Sequence, residues 1–206
     1  MRVHQNKIYL ASKSPRRREL LRQINIEFDL LLSREASPRG PDVTELVLPN
    51  EAAIDYVARV TQEKAIVASA FMHMRRLPPR PVLAADTTVV IDQKILGKPS
   101  DFDEAVNMIS QLSGRTHQVL TGLAVHHLHD NFHLIQTSEV TFAKLSQEEI
   151  TAYCRTQEPY DKAGGYGIQG MAARFISHIS GSYSGIMGLP LFETCALLKN
   201  VGIHLP

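Results

Sequence analysis

The chain has 206 residues, 44% of them hydrophobic and 21% charged, which places it among ordinary globular proteins long enough for one sizeable core or two small lobes. Its 22 basic residues against 21 acidic ones leave a net charge of +1, so no overall field argues for nucleic acid or a membrane surface, and any affinity for anions has to be local. Cys154 and Cys195 lie far apart in helix-like segments, giving neither a disulfide framework nor a metal spacing, and both are expected as reduced thiols. The opening residues MRVHQNKIYLAS hold no apolar signal core, and no 18 apolar residues run together anywhere, so a cytoplasmic protein away from membranes is expected.

Lys7 to Ala11 reads as a short strand, broken by Ser12-Lys13-Ser14. Ser14 is a good N-cap and Pro15 a good first helical residue, so a helix is predicted there with Arg16 and Arg17 in its first turn. Basic side chains have the wrong sign for a helix N-terminus. Free backbone N–H groups, the positive end of the dipole and two guanidinium groups together make an anion site, and a bound phosphate would remove the repulsion. A solvated basic helix end is the plain alternative. From Phe28 to Pro49, the residues Pro38, Gly40 and Pro41 break up any periodicity and predict a loop that could close over a substrate. Asn50 is read as the cap of a helix from Glu51 to about Phe71, with Ala53, Ile54, Val57, Val60 and Ala65 on its apolar face and Lys64 carried along it.

The stretch from Ala84 to Asp101, AADTTVVIDQKILGKPSD, organises the rest. It opens as an apolar, β-branched strand with Asp86 in its interior, where a carboxylate is costly unless something pairs with it. Lys98 follows in a Gly-Lys-Pro turn, a geometry that suits a divalent cation on Asp86 and a lysine neutralising phosphate; a buried Asp–Lys salt bridge is the structural alternative. A helix from about Phe102 to Leu112 comes next, then two antiparallel strands, His117 to Leu128 and Phe132 to Phe142, which make the sheet mixed. The five histidines of this hairpin alternate between faces and do not converge as ligands would. Ser146-Gln147-Glu148-Glu149 is a capping box for a helix to about Thr156. Asp161 to Gly170 (DKAGGYGIQG) lets backbone approach a base or sugar, with Gln169 able to bind a base edge through its amide. A strand from Ala173 to Ile179, a turn-rich connection over Gly181 to Gly188 and a last helix from Pro190 through Lys199 complete the chain.

In order and spacing, LASKSPRRRELL, QEKA around Lys64, AADTTVVIDQKILGKP, LSGRTHQVLTG, DKAGGYGIQG and GLPLFET resemble the Maf family of nucleoside triphosphate pyrophosphatases, over about Ile8 to Ile203. The resemblance implies one α/β domain over residues 1–206, an elongated mixed β-sheet flanked by helices with two lobes around a cleft, similar to the inosine triphosphate pyrophosphatases. It implies hydrolysis between the α and β phosphates with Mg²⁺, Mn²⁺ or Co²⁺, a homodimer, and a branch acting on dTTP and UTP. By motif, Ser12, Arg16 and Arg17 would bind the triphosphate, Lys64 and Lys98 would neutralise its oxygens, Asp86 would hold the metal or activate water, and Gln169 would take part in base choice. Relatives carry a metal-binding Glu where Ala36 stands here, so a loop slipped by one residue would bring Glu35 to the metal. The competing reading is a nucleotide sensor tied to septum formation, which needs affinity but no fixed acid at the α-phosphate. An end-binder of nucleic acid lacks the basic, aromatic-rich stripe such binding uses.

Overall fold

The structure, a computed structural model, describes residues 7–32 and 43–204. In chain order it runs β1 (Lys7–Leu10), α1 (Pro15–Gln23), β2 (Glu27–Leu30), α2 (Ala53–Met74), β3 (Val82–Ile91), β4 (Lys94–Leu96), α3 (Phe102–Leu112), β5 (Thr116–His127), β6 (Asp130–Phe142), α4 (Gln147–Cys154), β7 (Ile176–Ser180), α5 (Tyr183–Ile186) and α6 (Leu191–Asn200). Three 3₁₀ turns, Pro159–Asp161, Ala163–Gly165 and Met171–Phe175, lie between α4 and β7.

The strands form one mixed sheet in the order β2-β1-β3-β5-β6-β7, with β4 hooked onto β3. Pairing is parallel among β2, β1 and β3 and antiparallel elsewhere. This is the expected mixed sheet flanked by helices. On one edge of β3, β1 pairs only with Val82 and Leu83, while β4 pairs with Val89 to Ile91. Between them, Ala84 to Thr88 have no partner strand on that edge among the described residues, so the sheet opens where Asp86 sits.

Helix α2 lies along one face, its Tyr56, Val57 and Val60 against Val90 and Leu120, and its Ala68, Phe71 and Met72 against Tyr9 and Val82. On the other face are two cores. One gathers Val89, Ile109, Val119, Phe142, Tyr153 and Phe175 under α3 and α4; the other gathers Ile8, Leu10, Leu21, Leu83, Leu123 and Leu198 under α1 and α6. The gap in the sheet lies between these two lobes.

Several local expectations are met. Ser14 Oγ accepts the Arg17 N–H at 3.4 Å at the start of α1, and the capping box of Ser146 and Glu149 is fully formed. Helix α2, however, begins at Ala53 with no side-chain cap, not at Glu51 behind Asn50. Asn50 is in the left-handed region (φ 60°), and Glu51 is committed elsewhere, accepting from the Leu48 N–H and from the Arg59 guanidinium. Arg59 also donates to the carbonyls of Thr44 and Leu46, so the strong polar groups here tie the preceding loop down instead of extending the helix. The strand expected over Ala173 to Ile179 starts at Ile176, because Met171–Phe175 turns as 3₁₀ helix with Glu158 accepting from the Met171 and Ala172 N–H groups. The short β2, β4 and α5 have too few residues to show a period and were not expected.

Candidate active site

A cleft of about 950 Å³ opens at the gap in the sheet, lined by residues of β1's C-terminal end, α1, α2, β3, the Gly-Lys-Pro turn, the Gly-rich loop and Gly188. Among the described residues, six basic side chains line it (Lys13, Arg16, Arg17, Lys64, Lys98 and Lys162) against three acidic ones (Glu45, Asp86 and Asp161). The local excess of positive charge that the near-neutral chain requires is therefore concentrated here.

Asp86 is reached by α2 because the strand next to it has no side chain in the way. Gly122 on β5 is in register with Asp86, and a Cβ on it would come within 2.4 Å of Thr61 Oγ1 on α2. Ala65, Ala84 and Ala124 extend the same small-residue floor, all fully buried. The close approach carries Lys64, one turn after Thr61, to Asp86: Lys64 Nζ lies 2.7 Å from Asp86 Oδ1. The salt bridge weighed for Asp86 is thus real, but its partner is Lys64, not Lys98. The same Nζ lies 2.8 Å from Glu45 Oε1. Burial opposes ionisation of Glu45, yet Lys64, with Lys98 and Arg17 behind it, holds its carboxyl below the usual range. Glu45 is fixed from behind by the ties of Arg59 and by Tyr56, whose hydroxyl donates to the Glu45 carbonyl at 3.1 Å. The Tyr56 hydroxyl itself is pushed up to about 12 by burial and by the negative charge of Asp86 and Glu45.

On the other side of β3, Arg17 is locked into the wall. Its Nε donates to the Gly188 carbonyl at 2.7 Å, one terminal nitrogen to Ser12 Oγ at 3.1 Å and the other to Thr87 Oγ1 at 3.2 Å. Burial lowers its pKa, opposed by the charges of Asp86 and Glu45. Ser12 Oγ also accepts the Ser14 N–H at 3.2 Å, so both bonds use its lone pairs and neither uses its proton. Arg16 turns the other way, toward the Gly-rich loop, where burial opposes ionisation of Asp161, and Lys162 first, then Arg16, hold its carboxyl below the usual range.

That loop is stitched to the Gly-Lys-Pro turn by the Gly164 N–H, which donates to the Gly97 carbonyl at 2.9 Å. Gly164 has φ +69°, and a Cβ there would meet Val89 at 2.9 Å, so both conformation and packing demand glycine. The loop thereby presents Gln169 to the cleft, and the turn presents Lys98 at its exposed rim. Asp161 and Lys162 form an ion pair, with Lys162 Nζ also donating to the Glu158 carbonyl at 2.7 Å. All of Ser12, Arg16, Arg17, Lys64, Asp86, Lys98 and Gln169 therefore line one cleft. Glu35 lies outside the described residues. Sequence reasoning missed Glu45, Tyr56 and Thr87; the polar ties from Arg59 to the loop around Glu45 carry no sequence period that would have found them.

Among the described residues, no group of three or more His, Cys, Asp or Glu side chains is placed to hold a metal. His117 instead sits in the core, its Nε2 2.7 Å from Tyr166 Oη, and burial lowers its pKa to about 4.

An α/β scaffold with a cationic cleft at a gap in its sheet, and with a carboxylate pair inside it, defines a protein built to handle polyanions. The chain belongs to the Maf family: residues 7–201 match the family described as Maf-like protein. It is 47% identical over 198 residues to the dTTP/UTP pyrophosphatase of Dechloromonas aromatica (strain RCB), covering 96% of this chain and 98% of that one. It is 51% identical over 198 residues to the dTTP/UTP pyrophosphatase of Nitrosomonas europaea, covering 96% of each. A solved structure, that of the Staphylococcus aureus Ham1 protein, superposes with a TM-score of 0.41 at 13% identity, over 66% of this chain and 72% of that one, too slight a likeness to add to the fold described above. No described helix is long and apolar enough to cross a membrane.

Proposed function

We propose that this chain hydrolyses dTTP and UTP to the monophosphate and pyrophosphate with the help of a divalent cation. The observation that carries the reading is the convergence of Asp86 and Glu45 on Lys64 Nζ, beside a fixed Arg17, in a chain about half identical to relatives bearing that name. A cation that keeps much of its water and shares phosphate oxygens needs only one or two protein carboxylates, and this pair fits it. Asp86 and Glu45 would hold such a cation. Bound there, it would neutralise charge on the non-bridging phosphate oxygens.

The chain's own groups supply the rest. Arg17 and the Ser12 hydroxyl hold phosphate oxygens on the α1 side, Lys98 and Arg16 do so from the rim and the far wall, and Lys64 offsets charge at the carboxylates. A water oxygen attacks the α-phosphorus in line with the bridging oxygen, the Pα–O bond breaks, and pyrophosphate leaves with that electron pair. In this reading the water's proton goes to Asp86. Gln169, on the loop opposite, supports pyrimidine choice through its amide.

The test is a panel of nucleoside triphosphates assayed for pyrophosphate with and without Mg²⁺, Mn²⁺ or Co²⁺. Turnover of UTP and dTTP only with cation is expected. Binding without turnover would make the protein a nucleotide sensor, and equal or better turnover of 7-methyl-GTP would overturn the substrate assignment.

A further inference from the structure

Behind Arg17 a chain of hydroxyls runs from the cleft-lining Thr87 inward, away from the cleft. Thr87 Oγ1, which accepts from Arg17, lies 3.0 Å from Thr121 Oγ1, and Thr121 donates to the Gly185 carbonyl at 2.8 Å. Thr121 is fully buried on β5 and does not line the cleft. A hydroxyl has one proton. Thr121 spends its own on Gly185, so Thr87 must be the donor between the two threonines, and Thr87 can then only accept from Arg17. The direction of every bond in the chain is fixed by its last member.

The chain also closes into a ring. Arg17 Nε holds the Gly188 carbonyl while Thr121 holds that of Gly185, so the guanidinium and the threonine behind it are both tied to α5 and the turn that follows it. Gly188 has φ +112°, a conformation that turns its carbonyl back to Arg17 at little cost only because it is glycine. A guanidinium has five N–H groups, and the ring with Ser12 uses three of them. One N–H on each terminal nitrogen is left over for an anion in the cleft that Arg17 lines.

We propose that Thr121 is a positioning residue for phosphate binding: acting through Thr87, it fixes the plane of Arg17 so that its two unused N–H groups face the polyphosphate. Resting on the function proposed above, this adds a residue remote from substrate that sets how tightly the phosphates are held. A guanidinium fixed before binding loses less freedom when the anion arrives. Without the Thr121 hydroxyl, the Thr87 proton loses its acceptor, and the lone pair that Thr87 offers Arg17 is no longer held in one direction.

The experiment compares wild type, Thr121→Val, which keeps the shape without the hydroxyl, and Thr121→Ser, which restores it. Inorganic pyrophosphate binding is measured by titration calorimetry in Mg²⁺ buffer, together with KM and kcat for UTP. The valine variant should bind pyrophosphate about tenfold more weakly, the scale of one lost hydrogen bond, with the loss of activity carried by KM, because phosphate charge is held equally before and during reaction. Serine should recover most of both. Unchanged pyrophosphate affinity in the valine variant, or a serine variant as weak as valine, would overturn the proposal, as would a wild type that binds no pyrophosphate. If the valine variant does not fold, Thr121→Cys, with a weak donor of similar size, gives the same comparison. A wild type that binds pyrophosphate yet leaves UTP intact would sink the proposed function while the calorimetric comparison still decides the role of Thr121.

Discussion

Lys64 Nζ stands 2.7 Å from Asp86 Oδ1, so the half-buried carboxylate of the central strand is answered by a lysine from the helix packed across it. Glu45 approaches the same nitrogen at 2.8 Å. The ammonium thus occupies the point at which two carboxylates meet, the place a divalent cation would compete for.

Asp86→Asn keeps the size of the side chain and removes its charge. Because Lys64 retains Glu45 as a partner, the variant should fold with a melting temperature close to wild type. Turnover of UTP should fall at least about a hundredfold, the scale of losing a general base. Most of the activity surviving, or unfolding of the variant, would assign Asp86 a structural salt bridge only.

Lys64→Met should leave two facing carboxylates without their cation. Mn²⁺ binding in the absence of nucleotide, followed by calorimetry, should tighten relative to wild type while hydrolysis is lost. Unchanged or weaker Mn²⁺ binding would show that Lys64 does not stand at the cation's position.

Glu45→Gln should raise the Mg²⁺ concentration needed for half-maximal turnover and depress the maximum. Glu35→Gln, made alongside, tests the slipped loop: a Mg²⁺ requirement raised as well would give Glu35 a share in the metal, and an unchanged curve would leave it none. A curve moved by Glu35→Gln and not by Glu45→Gln would return the metal role to Glu35 and reduce Glu45 to an anchor for Lys64.

What the sequence made legible was whatever depends on neighbours in the chain. Ser14-Pro15 opening α1, the Ser146–Glu149 box and the β5–β6 hairpin are local signals, and they stand where they were expected. The residues that motif resemblance gathered, from Ser12 to Gln169, do line one cleft. Contacts between distant segments were not legible. Nothing in the sequence near Gly122 says that its missing side chain admits Thr61 and so brings Lys64 to Asp86. Likewise Glu45 sits in a loop with no period, and it is the reach of Arg59 back to Glu51 and to the carbonyls of Thr44 and Leu46, with the Tyr56 hydroxyl on its own carbonyl, that fixes it in the cleft. The histidine at position 117 looked like one of a scattered set, although it alone of the five hydrogen-bonds the cleft-lining Tyr166.

His117 gives a pH dependence of stability with a definite sign. Burial lowers its pKa from an ordinary 6.5 to about 4, so the unfolded chain takes up its proton first as pH falls. The contribution is fully present above about pH 6.5 and is lost progressively as pH falls toward 4, on the order of 3 kcal/mol in all. The urea midpoint of wild type should therefore drop between pH 7 and pH 4.5 by more than that of His117→Gln, which cannot titrate. Parallel decline of the two proteins would contradict a buried, neutral His117.

The most direct measurement is hydrolysis of UTP in ¹⁸O-labelled water with Mg²⁺, followed by mass spectrometry of the products. Water attack on the α-phosphorus beside Asp86 predicts UMP and pyrophosphate in equal amounts, with the ¹⁸O in UMP. Label in pyrophosphate, or release of orthophosphate and UDP, would contradict it.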